Sequence, residues 1–185
     1  MSDKAGIFID GAYLDKVLQD EFNSAKLDYE KLAAWLSSGT QILRTHYYHC
    51  LPYQSDPPTA TERDRFSKRQ SFYSRLAKLP RFDVRLGKLE YRGNRGDGTP
   101  IFVQKRVDIL LGVDLVLLAA KQRITHATIF AGDSDFLPAI AIAKSEGVII
   151  TLCHGTIHSP HDDLWAAADE RIPITQAVID SILRP

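Results

Sequence analysis

The sequence predicts an α/β fold in which a mainly parallel sheet carries helices on both faces, a three-layer α/β/α sandwich. Apolar runs of strand length alternate along the chain with segments whose apolar residues recur at helical spacing. Strands separated by helices are typical of parallel sheets that are buried on both faces. With 185 residues and 44% hydrophobic content, the chain is expected to form one domain over residues 1–185.

The first elements follow from short local patterns. An apolar run predicts a strand over residues 5–10, and apolar side chains at helical spacing predict helices over 11–22 and 28–37. Residues 41–50 are β-branched and aromatic, so they predict a second strand. The Pro- and Ser-rich segment 52–59 predicts a surface loop.

The middle of the chain is basic. Apolar residues at helical spacing predict a helix over 63–78, whose outer face carries many of the basic side chains. A mostly alternating pattern predicts a strand over 82–91, and a Gly-rich turn follows over 93–100. Apolar positions then predict a helix over 105–121.

The last third alternates regularly between the two element types. A strand over 127–131 precedes a helix over 134–146, which Gly147 ends, and an apolar strand follows over 148–153. The remaining predicted elements are a short helix over 160–169, an edge strand over 171–174 and a helix over 175–183.

Acidic residues stand where two of the strand-like runs end. Residues 7–9 lead directly into Asp10, and the run 127–131 breaks at Gly132 before Asp133 and Asp135. In open α/β sheets, ligands bind just outside the carboxyl ends of the strands. Because clustered carboxylates repel one another unless a cation lies among them, the pattern predicts a divalent-metal site.

Two further acids lie in the predicted helix 105–121. Asp108 is in its first turn, where a carboxylate also interacts favourably with the helix dipole. Asp114 lies inside an apolar run, where an unpaired charge is costly. The two acids are separated by roughly 120° around the helix, so we do not expect them to share one face.

Charge is unevenly distributed along a chain whose formal net charge is zero. Residues 61–106 contain 13 Lys and Arg against 5 Asp and Glu. A basic surface beside a carboxylate metal site suits a phosphodiester substrate, although the same residues also fit the solvated face of a helix. No apolar run approaches the length of a membrane span, and no signal-peptide pattern opens the chain, so a cytoplasmic location is expected.

A different metal chemistry is also open. Three histidines follow the strand 148–153, and imidazole and thiolate groups are suitable ligands for zinc. The candidate ligands are His154, His158, His161, Asp162, Asp163 and Cys153. The two cysteines of the chain are far apart and form no Cys-x-x-Cys pair, so no disulfide framework or zinc ribbon is expected.

Taken together, the motifs resemble the NYN domain of the PIN-like nuclease superfamily, in its LabA-like branch. The resemblance rests on residues 7–11, on residues 105–108 with Asp114 behind them, on residues 132–136 and on residues 162–169. It implies an acidic pocket that binds Mg²⁺ or Mn²⁺ and hydrolyses RNA. Matched by position, the implied metal ligands are Asp10, Asp108, Asp133 and Asp135. The implied catalytic set adds Asp114.

The resemblance also implies residues that contact the substrate. Ser134 matches a small hydroxyl residue between two aspartates, and Tyr13 stands where many members have an Asn, which weakens the expectation of efficient catalysis. Tyr13 is a candidate for stacking on a base. The expected phosphate-neutralising residues are Lys105, Arg106, Arg92 and Arg95.

Several function classes follow from these observations. The first is a metal-dependent ribonuclease, in which divalent ions held by the aspartates activate water against a phosphodiester. The second is a catalytically weak PIN-like module that binds RNA or nucleotides and regulates. A nuclease subunit that depends on a homodimer or a regulatory protein partner, a DNA substrate, and a phosphohydrolase acting on a small nucleotide also remain open.

Overall fold

The computed structural model describes residues 2–184, and within them seven strands form one sheet. The strands are β1 (Lys4–Asp10), β2 (Gln41–Cys50), β3 (Phe82–Asn94), β4 (Pro100–Lys105), β5 (His126–Phe130), β6 (Ile149–His154) and β7 (Glu170–Pro173). The helices are α1 (Gly11–Glu21), α2 (Tyr29–Leu36), α3 (Ala60–Leu76), α4 (Val107–Ala120), α5 (Leu137–Ser145), α6 (Asp162–Ala167) and α7 (Gln176–Ser181). No helix in this part of the chain is long and apolar enough to cross a membrane.

The strand order across the sheet is β4-β3-β2-β1-β5-β6-β7. Every neighbouring pair is parallel except β3 and β4, which are antiparallel. The predicted mainly parallel sheet is therefore confirmed. Because the chain leaves β1 for β2 on one side and later returns to β5 on the other, the sheet has a topological switch point between β1 and β5, where ligands bind in folds of this type.

Hydrophobic cores on the two faces of the sheet establish the three layers. Alternate residues of β1 face opposite sides, since Phe8 packs with α4 and α5 whereas Ile7 and Ile9 pack with α1, α2 and α3. Ile7, Phe8 and Ile9 are fully buried. Burial on both faces explains why β1 reads as a continuous apolar run in the sequence.

Local capping fixes where the helices begin. The Asp28 side chain accepts hydrogen bonds from the first backbone N–H groups of α2, as the sequence pattern indicates. At α3, Thr59 and Glu62 form a reciprocal capping box. Asp10 caps α1 as Asp28 caps α2, by accepting hydrogen bonds from the first backbone N–H groups of the helix. One of the predicted site residues therefore also determines the turn from β1 into α1.

The segment around residue 100 differs from the sequence prediction. Instead of a turn over 93–100, β3 extends to Asn94 and pairs with the additional strand β4, and α4 begins at Val107 rather than at Lys105. Arg106 has a left-handed backbone with φ 75°, which separates β4 from α4. Most β4 side chains are exposed, so the strand lacks the buried alternation that would identify it in the sequence.

Candidate functional site

Two of the predicted acids lie at the switch point of the sheet. Asp10 ends β1, and its Oδ1 accepts hydrogen bonds from the N–H groups of Ala12 and Tyr13 at 3.0 and 3.2 Å. The neighbouring strand β5 pairs in register with β1 up to Ile9 and Phe130, so the chain after β5 emerges beside Asp10. Asp133 lies in this segment, three residues after the end of β5.

The remaining acids approach this edge from a 3-10 turn and from α4. Residues Ser134–Phe136 form the 3-10 turn that precedes α5, and the Asp133 side chain caps it by accepting a hydrogen bond from the Asp135 N–H at 3.2 Å. Asp108 lies in the first turn of α4. Asp133 and Asp135 are exposed, whereas Asp10 and Asp108 are half-buried. We refer to these four residues together as the acidic pocket.

Electrostatic coupling joins these side chains. Burial raises the pKa of Asp108, and the negative charges of Asp133 and Asp135 raise it further. Burial also raises the pKa of Asp10; the hydrogen bonds from the backbone of α1 oppose that rise, and the charge of Asp108 adds to it. The charged form of Asp108 is thus destabilised by Asp133 and Asp135, and that of Asp10 by Asp108, as expected when carboxylates share one site.

No salt bridge offsets this repulsion in the part of the chain that the structure describes, although the charge of His49 acts to lower the pKa of Asp10. The salt bridges of residues 2–184 involve other acids and leave out Asp10, Asp108, Asp133 and Asp135. Neighbouring carboxylates without a cationic partner fit a hard divalent cation, which prefers oxygen ligands. Over the same residues no three His, Cys, Asp or Glu side chains form a ready-made metal-binding group, and this holds for the four acids as well.

Asp114 has different surroundings from the other acids. It is 8% exposed, and its carboxylate accepts a hydrogen bond from the Tyr48 hydroxyl at 3.0 Å and forms a salt bridge with Arg85 at 3.3 Å. It lies roughly 9 Å further along α4 than Asp108. These contacts account for a charge inside an apolar helix and support a structural role for Asp114, whereas its catalytic role stays a prediction.

His46 completes the buried polar group around Asp114. Its ring stacks between Phe8 and Tyr48, and its Nδ1 lies 3.9 Å from Asp114 and 3.7 Å from Asp83. Burial lowers the pKa of His46, although the two carboxylates oppose the shift. The imidazole is therefore held in its neutral form inside the core beneath α4.

Tyr13 is fixed by contacts with the protein itself. Its hydroxyl donates a hydrogen bond to the His158 carbonyl and accepts one from the Gly155 N–H at 3.2 Å. Its ring lies against Gly132, where an added Cβ would come within 2.5 Å of the ring. Because the hydroxyl is bonded on both sides and the ring lies against Gly132, the structure supports a positioning role for Tyr13, whereas stacking on a base stays a prediction.

Glu21 holds the same loop from the last turn of α1. Its carboxylate accepts hydrogen bonds from the Thr156 N–H, the Thr156 hydroxyl and the His158 N–H at 2.7 to 2.9 Å. Burial acts to raise the pKa of Glu21, but these hydrogen bonds outweigh it and the pKa is lowered. Gly155 is required here, since a Cβ would lie 2.3 Å from the Glu21 carboxylate.

We name residues 155–161 the clamp loop, because Tyr13 and Glu21 tie it to α1. Its far end returns to the acidic pocket, where the His161 N–H donates to the Gly132 carbonyl at 3.0 Å. This hydrogen bond helps to fix the backbone immediately before Asp133. Sequence reasoning missed this function for Glu21, because an acid at a helix end gives no signal of a partner 135 residues away.

The predicted substrate-binding residues fall into two groups. Lys105 and Arg92 both pair with Glu90 on the β3–β4 hairpin, at 2.9 and 3.2 Å. Arg95 lies in the hairpin turn, and exposed Arg106 closely precedes Asp108. Ser134 is half-buried in the 3-10 turn between Asp133 and Asp135. Lys105 and Arg106 are thus beside the acids in sequence, whereas Arg92 and Arg95 belong to the extended hairpin.

The histidines of the alternative transition-metal site do not converge. His154 Nδ1 contacts the Gly155 carbonyl at 2.7 Å, His158 pairs with Asp20 at 2.7 Å, and His161 pairs with Asp163 at 3.6 Å. Since no three potential ligands in residues 2–184 form a metal-binding group, the structure does not support the predicted zinc alternative. Cys50 and Cys153 are free and buried, as expected for reduced cysteines.

A further polar group connects the acidic pocket to α3. His49, at the end of β2, contacts Asp15 of α1 through Nε2 at 3.2 Å, and Asp15 also pairs with Arg69 of α3 at 2.5 Å. The charge of His49 acts to lower the pKa of Asp10. The sequence analysis did not place these residues near the site, because their contacts join three separate elements.

Comparison with known families places this site in context. Residues 4–175 match the family described as the NYN domain. The chain belongs to the NYN domain family. This family is part of the PIN-like nuclease superfamily, whose members generally use divalent metals, and the acidic pocket of the chain is consistent with that chemistry. No curated protein matches the sequence.

A solved structure extends the comparison of the NYN fold. A protein of unknown function from Vibrio parahaemolyticus RIMD 2210633 superposes with a TM-score of 0.67 at 16% sequence identity. The match covers 99% of this chain and 97% of the Vibrio chain. At this level of identity the comparison supports the fold, which the two chains share over nearly their whole lengths.

Proposed function

We propose that this NYN domain protein is a ribonuclease that hydrolyses phosphodiester bonds of RNA with the help of Mg²⁺ or Mn²⁺. The observation that carries the proposal is the group of coupled carboxylates at the switch point of the sheet, which forms no salt bridge in residues 2–184. In a family of PIN-like nucleases, such a group is suited to metal-assisted hydrolysis.

In the proposed reaction, Asp10, Asp108, Asp133 and Asp135 would hold the metal. A divalent ion bound there supplies Lewis-acid stabilisation of the scissile phosphate and favours a water nucleophile at neutral pH. The hydrogen bonds from Ala12 and Tyr13 orient Oδ1 of Asp10. Arg106, closely preceding Asp108, is placed to neutralise a flanking phosphate.

The direct test is cleavage of labelled single-stranded RNA by the purified wild type, with Mg²⁺, with Mn²⁺ and with EDTA. The comparison is a double variant, Asp133→Ala with Asp135→Ala. A matched control removes two exposed acids at the opposite edge of the sheet, Asp3→Ala with Glu146→Ala. We expect metal-dependent cleavage by the wild type and the control, and none by the Asp133 and Asp135 variant.

A second candidate is a catalytically weak module that binds RNA or nucleotides. Tyr13 favours it, because this position, where many family members have an amide, carries a tyrosine whose hydroxyl is already bonded to the clamp loop. RNA binding without cleavage under any of the metal conditions would support this alternative. The LabA-like branch, a homodimer and a regulatory protein partner stay predictions.

A further inference from the structure

A groove lies between α1 and α3, on the face of the sheet opposite α4 and α5. Its volume is about 1030 Å³, and its walls come from α1, the segment before α2, α3 and Arg184. Six basic side chains line it against two acidic ones, Asp15 and Asp64. The basic residues are Lys26, Arg65, Lys68, Arg69, Arg75 and Arg184. In a chain with zero net charge, an excess of four positive charges in one groove is a marked segregation.

Most of this positive charge is not neutralised by the protein. Lys68 pairs with Asp64 at 2.7 Å, and Arg69 pairs with Asp15. The other four basic side chains of the groove form no salt bridge with any residue in the range 2–184, and all four are exposed. Exposed, unpaired guanidinium and ammonium groups along a groove are suited to a polyanion whose charges are distributed along its length.

The groove is connected to the acidic pocket through α1. Asp10 caps α1, and Asp15, which lines the groove, is five residues further along the same helix, a rise of roughly 7.5 Å. The contacts of Asp15 with His49 and Arg69 tie α1 and α3 together at this end. Tyr29 and Phe72, whose rings lie 5.5 Å apart, add aromatic surface further along. Basic grooves with aromatic surface are typical of proteins that bind single-stranded nucleic acid.

We propose that the groove between α1 and α3 binds the sugar-phosphate backbone of single-stranded RNA that extends from the acidic pocket. The choice of RNA as the occupant rests on the proposed nuclease function. Binding of RNA in the groove, however, requires no cleavage and is measured separately. The groove would determine affinity and the minimum substrate length, whereas the acids would determine the chemistry.

The test measures binding of a fluorescently labelled 12-nucleotide RNA by anisotropy in EDTA over a series of salt concentrations. The groove variant is Arg65→Ala with Arg75→Ala. Its matched control, Lys121→Ala with Arg123→Ala, removes two exposed basic residues near the amino-terminal end of β5. Each phosphate contact to a single strand contributes roughly 0.7 to the slope of log K against log salt, so the groove variant is expected to lose about 1.4. At 0.1 M salt this corresponds to about 25-fold weaker binding.

The outcomes separate the groove from the nuclease. The proposal that the groove binds RNA is contradicted if the groove variant has an unchanged salt slope or if the wild type binds no RNA. Either result counts against it even if the wild type cleaves RNA. A reduced slope supports the groove even if no condition gives cleavage. If cleavage occurs, the groove variant should cleave a dinucleotide at the wild-type rate, because a dinucleotide is too short to reach along the groove. It should cleave the 12-nucleotide RNA less efficiently than the wild type at low substrate concentration.

Discussion

Replacing Tyr13 with Phe tests whether this residue holds the clamp loop or contacts substrate. The change removes only the hydroxyl, which bonds the His158 carbonyl and the Gly155 N–H, and it leaves the ring against Gly132. Leaving partly buried polar groups without partners costs about 1–3 kcal/mol. We expect a loss of that size in the free energy of unfolding, equivalent to a roughly 5- to 150-fold change in the ratio of folded to unfolded protein.

The measurement is urea denaturation followed by far-UV circular dichroism, with the midpoint and slope fitted separately. Tyr91→Phe is the matched control, because Tyr91 is exposed and its hydroxyl bonds only the Asn94 side chain. We expect the control to lie within about 0.5 kcal/mol of the wild type. Hydrogen exchange of the Gly155 amide should also become faster in Tyr13→Phe, since that amide loses its acceptor.

The two roles of Tyr13 give opposite results. A base-stacking residue would tolerate Phe, which stacks equally well, and the unfolding free energy would not change. If Tyr13→Phe is as stable as the wild type and Gly155 exchange is unaltered, the hydroxyl does not hold the loop and our reasoning is wrong.

Three other changes probe the remaining acids. The pKa of Glu21 in the folded protein lies below its ordinary value of 4.5. The charged carboxylate therefore stabilises the fold fully above pH 4.5, and this stabilisation is lost as the pH falls through the folded-state pKa. The unfolding midpoint of Glu21→Gln should consequently depend less on acid pH than that of the wild type. Asp114→Asn should lose about 1–3 kcal/mol of stability by urea titration, because Arg85 loses one of its two carboxylate partners, while any cleavage rate per folded molecule stays unchanged. In EDTA, Asp133→Asn should melt at a higher temperature than the wild type, because its repulsion with Asp108 is relieved. Added Mg²⁺ should stabilise the wild type more than the variant. Equal melting temperatures in EDTA would contradict the electrostatic coupling of Asp133 and Asp108.

The order of strands and helices was predictable because it follows from the local spacing of apolar residues along the sequence. β1 and β5 are buried on both faces and therefore appear as uninterrupted apolar runs, and the acids that follow them mark the carboxyl ends. β4 was missed because its side chains are mostly exposed and its strand conformation depends on pairing with β3. The position of Asp10 and Asp133 at one edge followed from the parallel arrangement alone.

The roles of individual polar residues depended on the tertiary structure. Asp114 meets Tyr48 from 66 residues away, and Tyr13 meets Gly155 from 142 residues away, so no local pattern distinguishes these residues from site residues. The groove likewise forms only when α1 and α3 lie side by side on the sheet. The sequence by itself determined which strand ends carry the acids, because periodicity and chain direction are local properties. Only the folded chain decided which charges are paired and which remain free, because their partners come from distant segments.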